Sequence, residues 1–135
     1  MPADLPPSAP TRILIADDDT AFMEMLRTAL LDHEEFEVVG VARNGQEAYD
    51  RAVELKPSVV LMDVSMPVLN GIEATRLLHG LDDPPTVVLI TGEEAEATDA
   101  AAYEAGAAAY LRKSEDLPFL IRVIVAVSRL TATPA

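Results

Sequence analysis

Ser58-Val59-Val60-Leu61-Met62-Asp63 is the stretch on which the fold turns, an unbroken apolar run that closes on a single carboxylate. A run this short has the length of a strand. Its lack of alternation means that both faces are covered, as in a parallel sheet with helices on each side. Three further runs behave alike: Ile13-Leu14-Ile15-Ala16 ends in Asp17-Asp18-Asp19, Val87-Val88-Leu89-Ile90 ends in Thr91, and Ala107-Ala108-Ala109-Tyr110-Leu111 leads to Lys113. If these strands are parallel neighbours, their ends converge and bring carboxylates, a hydroxyl and an ammonium together. That set suits a divalent cation and a phosphoryl group.

Helical patterns separate the runs. Phe22, Leu26, Ala29 and Leu30 share one face of a first helix, and Val38-Val39-Gly40-Val41 reads as a second strand. Asn44 with Glu47, and Asn70 with Glu73, are helix-start pairs. Pro57 stops the second helix, and Asp82-Asp83-Pro84-Pro85 turns the chain after a third helix that runs to about Leu81. A fourth helix, from about Glu94 to Ala105, stops at Gly106 as a left-handed cap, and Ser114 is positioned to cap the last. Five strands alternating with five helices predict an α/β, doubly wound parallel sheet with its ligand crevice outside the strands' carboxyl ends.

The 135 residues allow one domain. Pro-rich residues 1–10 read as a disordered N-terminal tail, 11–131 as the domain and 132–135 as a C-terminal tail. A net charge of -13 argues against direct binding to nucleic acid or anionic lipid, since phosphate contacts need Lys and Arg. The chain has no cysteine, its start lacks the pattern of an export signal, and no apolar stretch approaches a membrane span of about 20 residues. A cytoplasmic location is expected.

Mg²⁺ is typically held by one or two carboxylates, waters and phosphate oxygens, and Asp17, Asp18 and Asp63 can supply the acids. Asp63 stands alone on its strand end, which favours it as a nucleophile toward phosphorus, while the paired acids favour the metal. Lys113 would neutralise the transferred group and Thr91 would hydrogen-bond it. Taken singly, each residue has a plainer use: Asp19 as a helix cap, Thr91 with Glu94 as a capping box, Lys113 as a solvated lysine. The crowded acids should raise at least one pKa when no metal is bound.

Ile13-Leu14-Ile15-Ala16-Asp17-Asp18, Leu61-Met62-Asp63-Val64-Ser65-Met66-Pro67 with Asn70-Gly71, Thr91 and Lys113 together resemble the receiver domains of two-component response regulators. The resemblance covers about residues 11 to 130. It implies a flavodoxin-like strand order 2-1-3-4-5, Asp63 as acceptor of a phosphoryl group from a histidine kinase, a Ser65 backbone carbonyl on the metal, and Tyr110 as an aromatic switch moving with Thr91. A signalling domain rather than an enzyme is implied. Asn70-Gly71-Ile72-Glu73-Ala74 and Tyr110-Leu111-Arg112-Lys113-Ser114 look most like the NarL/LuxR subgroup, whose members usually carry a DNA-binding output domain; this chain is too short for one.

Three positions depart from the family pattern. Gly92 stands where alanine is common, Ser114 where proline often follows the lysine, and Asp19 where the family varies. A trans Lys113–Ser114 bond is therefore expected. Glu93 would alter the lifetime of the phosphoryl group.

Two rivals remain. A phosphatase of haloacid dehalogenase type would use Asp17 and Asp19, though Ala21 occupies the place of its Thr or Val. A nucleotide-binding module lacks any G-x-G-x-x-G or Walker loop. On the last helix the apolar arc extends past Leu117, Leu120, Ile121 and Ile124 to Phe119, Val123 and Leu130. The excess is buried either against the fourth helix or by a partner or a second copy of the chain, the latter a homodimer.

Overall fold

Parallel pairing throughout sets the architecture. The computed structural model describes residues 9–92 and 99–131. Strands β1 (Thr11–Ala16), β2 (Phe36–Ala42), β3 (Val59–Asp63), β4 (Thr86–Thr91) and β5 (Ala109–Arg112) form one sheet in the order 2-1-3-4-5. Helices α1 (Thr20–Leu31), α2 (Gly45–Leu55), α3 (Gly71–His79), α4 (Asp99–Ala105) and α5 (Leu117–Thr131) connect and follow them. The doubly wound, flavodoxin-like fold expected from the chain is the one observed.

The strand sequences are apolar on both sides because each face carries its own core. Ile13, Ile15, Leu61, Val88 and Ile90 pack with α1 and α5, whereas Leu14, Val60, Met62 and Leu89 pack with residues of α2, α3 and α4. All five residues of β3 are buried, Asp63 among them, so the acid is delivered by the centre of the sheet. α4 and α5 therefore lie on opposite faces, which corrects the idea that α5 is covered by the fourth helix. Phe119 and Val123 are half-buried against the α1/α5 core instead, leaving Leu130 as an exposed apolar residue at the end of α5.

Helix ends follow local chemistry. Asn44 and Asn70 accept hydrogen bonds from the Glu47 and Glu73 amides, and Asn70 with Glu73 completes a capping box. Asp19 caps α1 by accepting from the Phe22 amide at 3.2 Å. The last helix is capped by Asp116, which accepts from the Phe119 amide at 2.8 Å, rather than by Ser114. Residues 113–115 turn away from β5 before the helix begins, so Ser114 lies two residues too early. α3 ends at His79, two residues short of expectation, because Gly80 forms its C-cap. Gly106 has φ +112, as a left-handed stop to α4 requires. The start of the fourth helix near Glu94, together with Glu93, lies outside the described residues, as do residues 1–8 and 132–135. No cis peptide occurs among the described residues, so Lys113–Ser114 is trans as expected.

Gly71 shows how closely the site is framed. A Cβ placed there would stand 2.1 Å from the Asp63 carbonyl oxygen, and the Gly71 amide donates to the Val64 carbonyl at 2.8 Å. The first turn of α3 thus presses backbone to backbone against the end of β3. Gly71→Ala is expected to destabilise the fold by at least about 2 kcal/mol, the scale of a core steric clash, read as a lowered urea midpoint.

Candidate functional site

The carboxyl end of β1 leads directly into Asp17, whose amide donates to the Ala42 carbonyl at 2.9 Å. Asp17 is 4 % exposed and Asp63, at the end of neighbouring β3, is also 4 % exposed. Two buried carboxylates side by side need a cation. Lys113, just past β5, supplies one: its Nζ lies 2.9 Å from Asp17 Oδ2 and 3.4 Å from Asp63 Oδ2. Asp18 is exposed at the rim, and one carboxylate oxygen each from Asp17, Asp18 and Asp63 lie within 4.8 Å of one another.

Local hydrogen bonds hold these acids in place. The Asp19 amide donates to Asp17 Oδ1 at 2.8 Å, so the helix cap and the buried acid belong to one turn. The Ser65 amide donates to Asp63 Oδ1 at a longer 3.4 Å. Thr91 is 1 % exposed, and its hydroxyl donates to the Gly92 carbonyl at 3.0 Å. Its own carbonyl accepts from the Lys113 amide at 2.8 Å, tying the ends of β4 and β5 together.

The electrostatics are those of a crowded acidic notch. Burial, reinforced by the charge of Asp17, pushes the Asp63 carboxyl up from 3.8 to about 7, and Lys113 pulls it back only in part. Burial works against the charged form of Lys113, but the hydrogen bond and charge of Asp17, with those of Asp63, outweigh it and raise the lysine above its usual range. The raised acid expected from the sequence is therefore Asp63. Replacing Lys113 by Met removes the larger of the two influences that lower this pKa, the other being the Ser65 amide, so the Asp63 titration should move further upward, followed by the ¹³C shift of its carboxyl carbon.

Asp17, Asp18, Asp63 and Lys113 come together as the strand-end argument requires. Tyr110 is half-buried on β5 opposite Leu89, packed against the core on the α4 side. Strand alternation puts Thr91 on that same face, two residues beyond Leu89. Two contacts escaped the sequence reading. Phe22, expected only as a core residue of α1, places its ring centroid 4.8 Å from Lys113 Nζ, and Gly71 abuts the Asp63 backbone. Helical periodicity identifies Phe22 as buried but says nothing of which strand end it meets.

Comparison with known proteins agrees with this geometry. The profile of the response regulator receiver domain matches residues 13–125. The transcriptional regulatory protein LnrK of Bacillus subtilis is 39% identical over 116 residues, covering 86% of this chain and 53% of LnrK. A protein-glutamate methylesterase/protein-glutamine glutaminase of Thermotoga maritima is 41% identical over 106 residues, covering 76% of this chain and 30% of its own. The chain thus spans about half the length of the first relative and under a third of the second. Among solved structures, a LuxR-family two-component response regulator from an Aurantimonas species superposes with a TM-score of 0.82 at 32% identity, covering 90% of this chain and 86% of that one. With the fold, the acidic notch and the profile in agreement over most of its length, the chain belongs to the response regulator receiver domain family.

Proposed function

We propose that the chain is a phosphorylation-controlled switch in which Asp63 accepts a phosphoryl group from a sensor histidine kinase or phosphotransfer protein. The observation that carries this reading is the meeting of Asp17, Asp63 and Lys113 at neighbouring strand ends. An Asp63 carboxylate oxygen forms a bond to phosphorus while the bond from phosphorus to the donor atom breaks, and the donor keeps that electron pair. Phosphoryl transfer asks chiefly for positioning and charge stabilisation, so no general base is required.

The three gathered acids and the raised Asp63 fit a hard divalent ion, whose charge would relieve their repulsion. Asp17, Asp18 and Asp63, with the Ser65 carbonyl, would hold Mg²⁺. Bound there, it would neutralise the oxygens of the transferring group. Lys113 offsets the remaining charge. Thr91 exchanges its bond to the Gly92 carbonyl for one to a phosphoryl oxygen, and Tyr110, on the same face of the sheet, turns into the space released. The altered surface comprises α4, β5 and α5.

The output is a downstream protein or an output domain elsewhere in a longer regulator, with the NarL/LuxR subgroup as the preferred placement. The domain signals rather than turns over a substrate, works in the cytoplasm and makes no direct contact with nucleic acid or membrane. No helix among the described residues is long and apolar enough to cross a membrane. Self-association through α5 draws less support than its sequence suggested, since Phe119 and Val123 already pack on the core. The dehalogenase-type alternative is weakened because the side chain of Asp19 caps α1.

Acetyl phosphate with Mg²⁺ tests the proposal. The intact protein should gain the mass of one phosphoryl group, at a rate at least about tenfold lower when EDTA removes the metal. Steady hydrolysis of p-nitrophenyl phosphate would favour the phosphatase reading instead.

A further inference from the structure

We propose that Phe22 is a positioning residue for the phosphoacceptor site, its ring holding the Lys113 ammonium against the Asp17 and Asp63 carboxylates. The inference rests on the reading of the site given above and adds a residue to it.

Lys113 Nζ stands 4.8 Å from the centre of the Phe22 ring, inside the range of about 6 Å over which a ring quadrupole attracts a cation. The lysine side chain is only 20% exposed and Phe22 only 7 %, so little water competes for the ammonium on that side. Such contacts strengthen as the pair is desolvated. A lysine is a point charge on a flexible stem, and the two carboxylates hold it at unequal distances of 2.9 and 3.4 Å. The ring adds a third side to this cradle, a surface that attracts positive charge yet accepts no competing conventional hydrogen bond.

The ring's position is set by the same turn that sets the acid. Asp17 Oδ1 accepts from the Asp19 amide at 2.8 Å, Asp19 Oδ1 accepts from the Phe22 amide at 3.2 Å, and Phe22 in turn meets Lys113, which reaches back to Asp17. This closed circuit joins the start of α1 to the loop after β5. The ammonium is held where charge develops during transfer, so it need not reorganise at that moment. An aliphatic side chain would fill the same volume without the quadrupole, which separates positioning from mere packing.

The test compares Phe22→Leu, Phe22→Tyr and a protein carrying 3,4,5-trifluorophenylalanine at position 22, whose ring keeps its shape but loses its negative face. Two quantities are read: the rate of phosphorylation by acetyl phosphate at saturating Mg²⁺, and the proton shifts of the Lys113 ε-methylene, which a ring at this distance moves upfield. Phe22→Leu and the fluorinated protein should be phosphorylated about 5- to 10-fold more slowly, and Phe22→Tyr should recover the parent rate. The upfield shift should vanish in Phe22→Leu and persist in Phe22→Tyr. Parent rates in both the leucine and fluorinated proteins would overturn the proposal and leave Phe22 as core packing. The fluorinated protein keeps the outcome readable if the leucine variant folds poorly. A parent chain that gains no phosphoryl group would overturn the reading of the site itself, whereas an unshifted Lys113 methylene in that chain would overturn the contact.

Discussion

Asp63→Asn gains no mass from acetyl phosphate and Mg²⁺ under conditions in which the parent chain is stoichiometrically modified, a loss expected to exceed about 100-fold. An amide in place of the carboxylate removes the nucleophilic oxygen while keeping nearly the same shape. The fold should therefore survive: the buried neighbours of Asp63 on β3 and its Ser65 contact do not depend on its charge. Intact-protein mass spectrometry reads the loss, and circular dichroism shows that structure is kept. Modification persisting in Asp63→Asn would move the acceptor to another side chain.

The same substitution should raise stability in the absence of metal, and by an amount that depends on pH. Asp63 has its pKa raised from 3.8 to about 7 by burial and by Asp17. Below about pH 4 it is protonated in folded and unfolded chains alike and contributes no difference. Between about pH 4 and 7 the unfolded chain releases the proton while the folded chain retains it, so stability falls as pH rises. Above about pH 7 both forms are ionised and the loss levels off, at a size on the order of 4 kcal/mol.

Asp63→Asn lacks this slope. Urea denaturation of the two proteins should coincide near pH 4 and diverge by that amount at pH 8, the variant being the more stable. Taking the difference between the two cancels the contribution of the chain's general negative charge. Adding Mg²⁺ at pH 8 should recover stability in the parent and much less in the variant. Parallel pH profiles without metal would show that the carboxyl is not perturbed.

The fold was legible because its strands declare themselves. Val59 to Met62 and Val87 to Ile90 are buried on both faces, and a strand buried on both faces is apolar at every position. Asn44 and Asn70 marked their helices correctly, since a side chain that accepts an amide three residues on is a purely local device. Ser114 misled for the converse reason. It has the chemistry of a cap, but Asp116 has it too, and the turn after Lys113 decides between them.

The site divides along the same line. Asp17, Asp63 and Lys113 were found because parallel strands bring their carboxyl ends together whatever the packing between them. The contacts of Phe22 and Gly71 were not, because a helix residue's partner across the interface depends on the distance and crossing of α1 and α3 over the sheet. The cover of α5 was misjudged for the same reason. Its apolar arc was counted correctly, but which neighbour lay beneath depended on the face each crossover took.

The two flanks of the crevice differ in how much they can yield. At Gly71 the corner between β3 and α3 has no room even for a methyl group, whereas a Cβ at Gly92, beyond the end of β4, meets nothing within 4 Å among the described residues. A disturbance arising at the notch therefore meets unyielding backbone on the α3 side. If the domain switches as proposed, that wall would rectify the displacement toward the β4 edge, giving the signal a direction in which to travel.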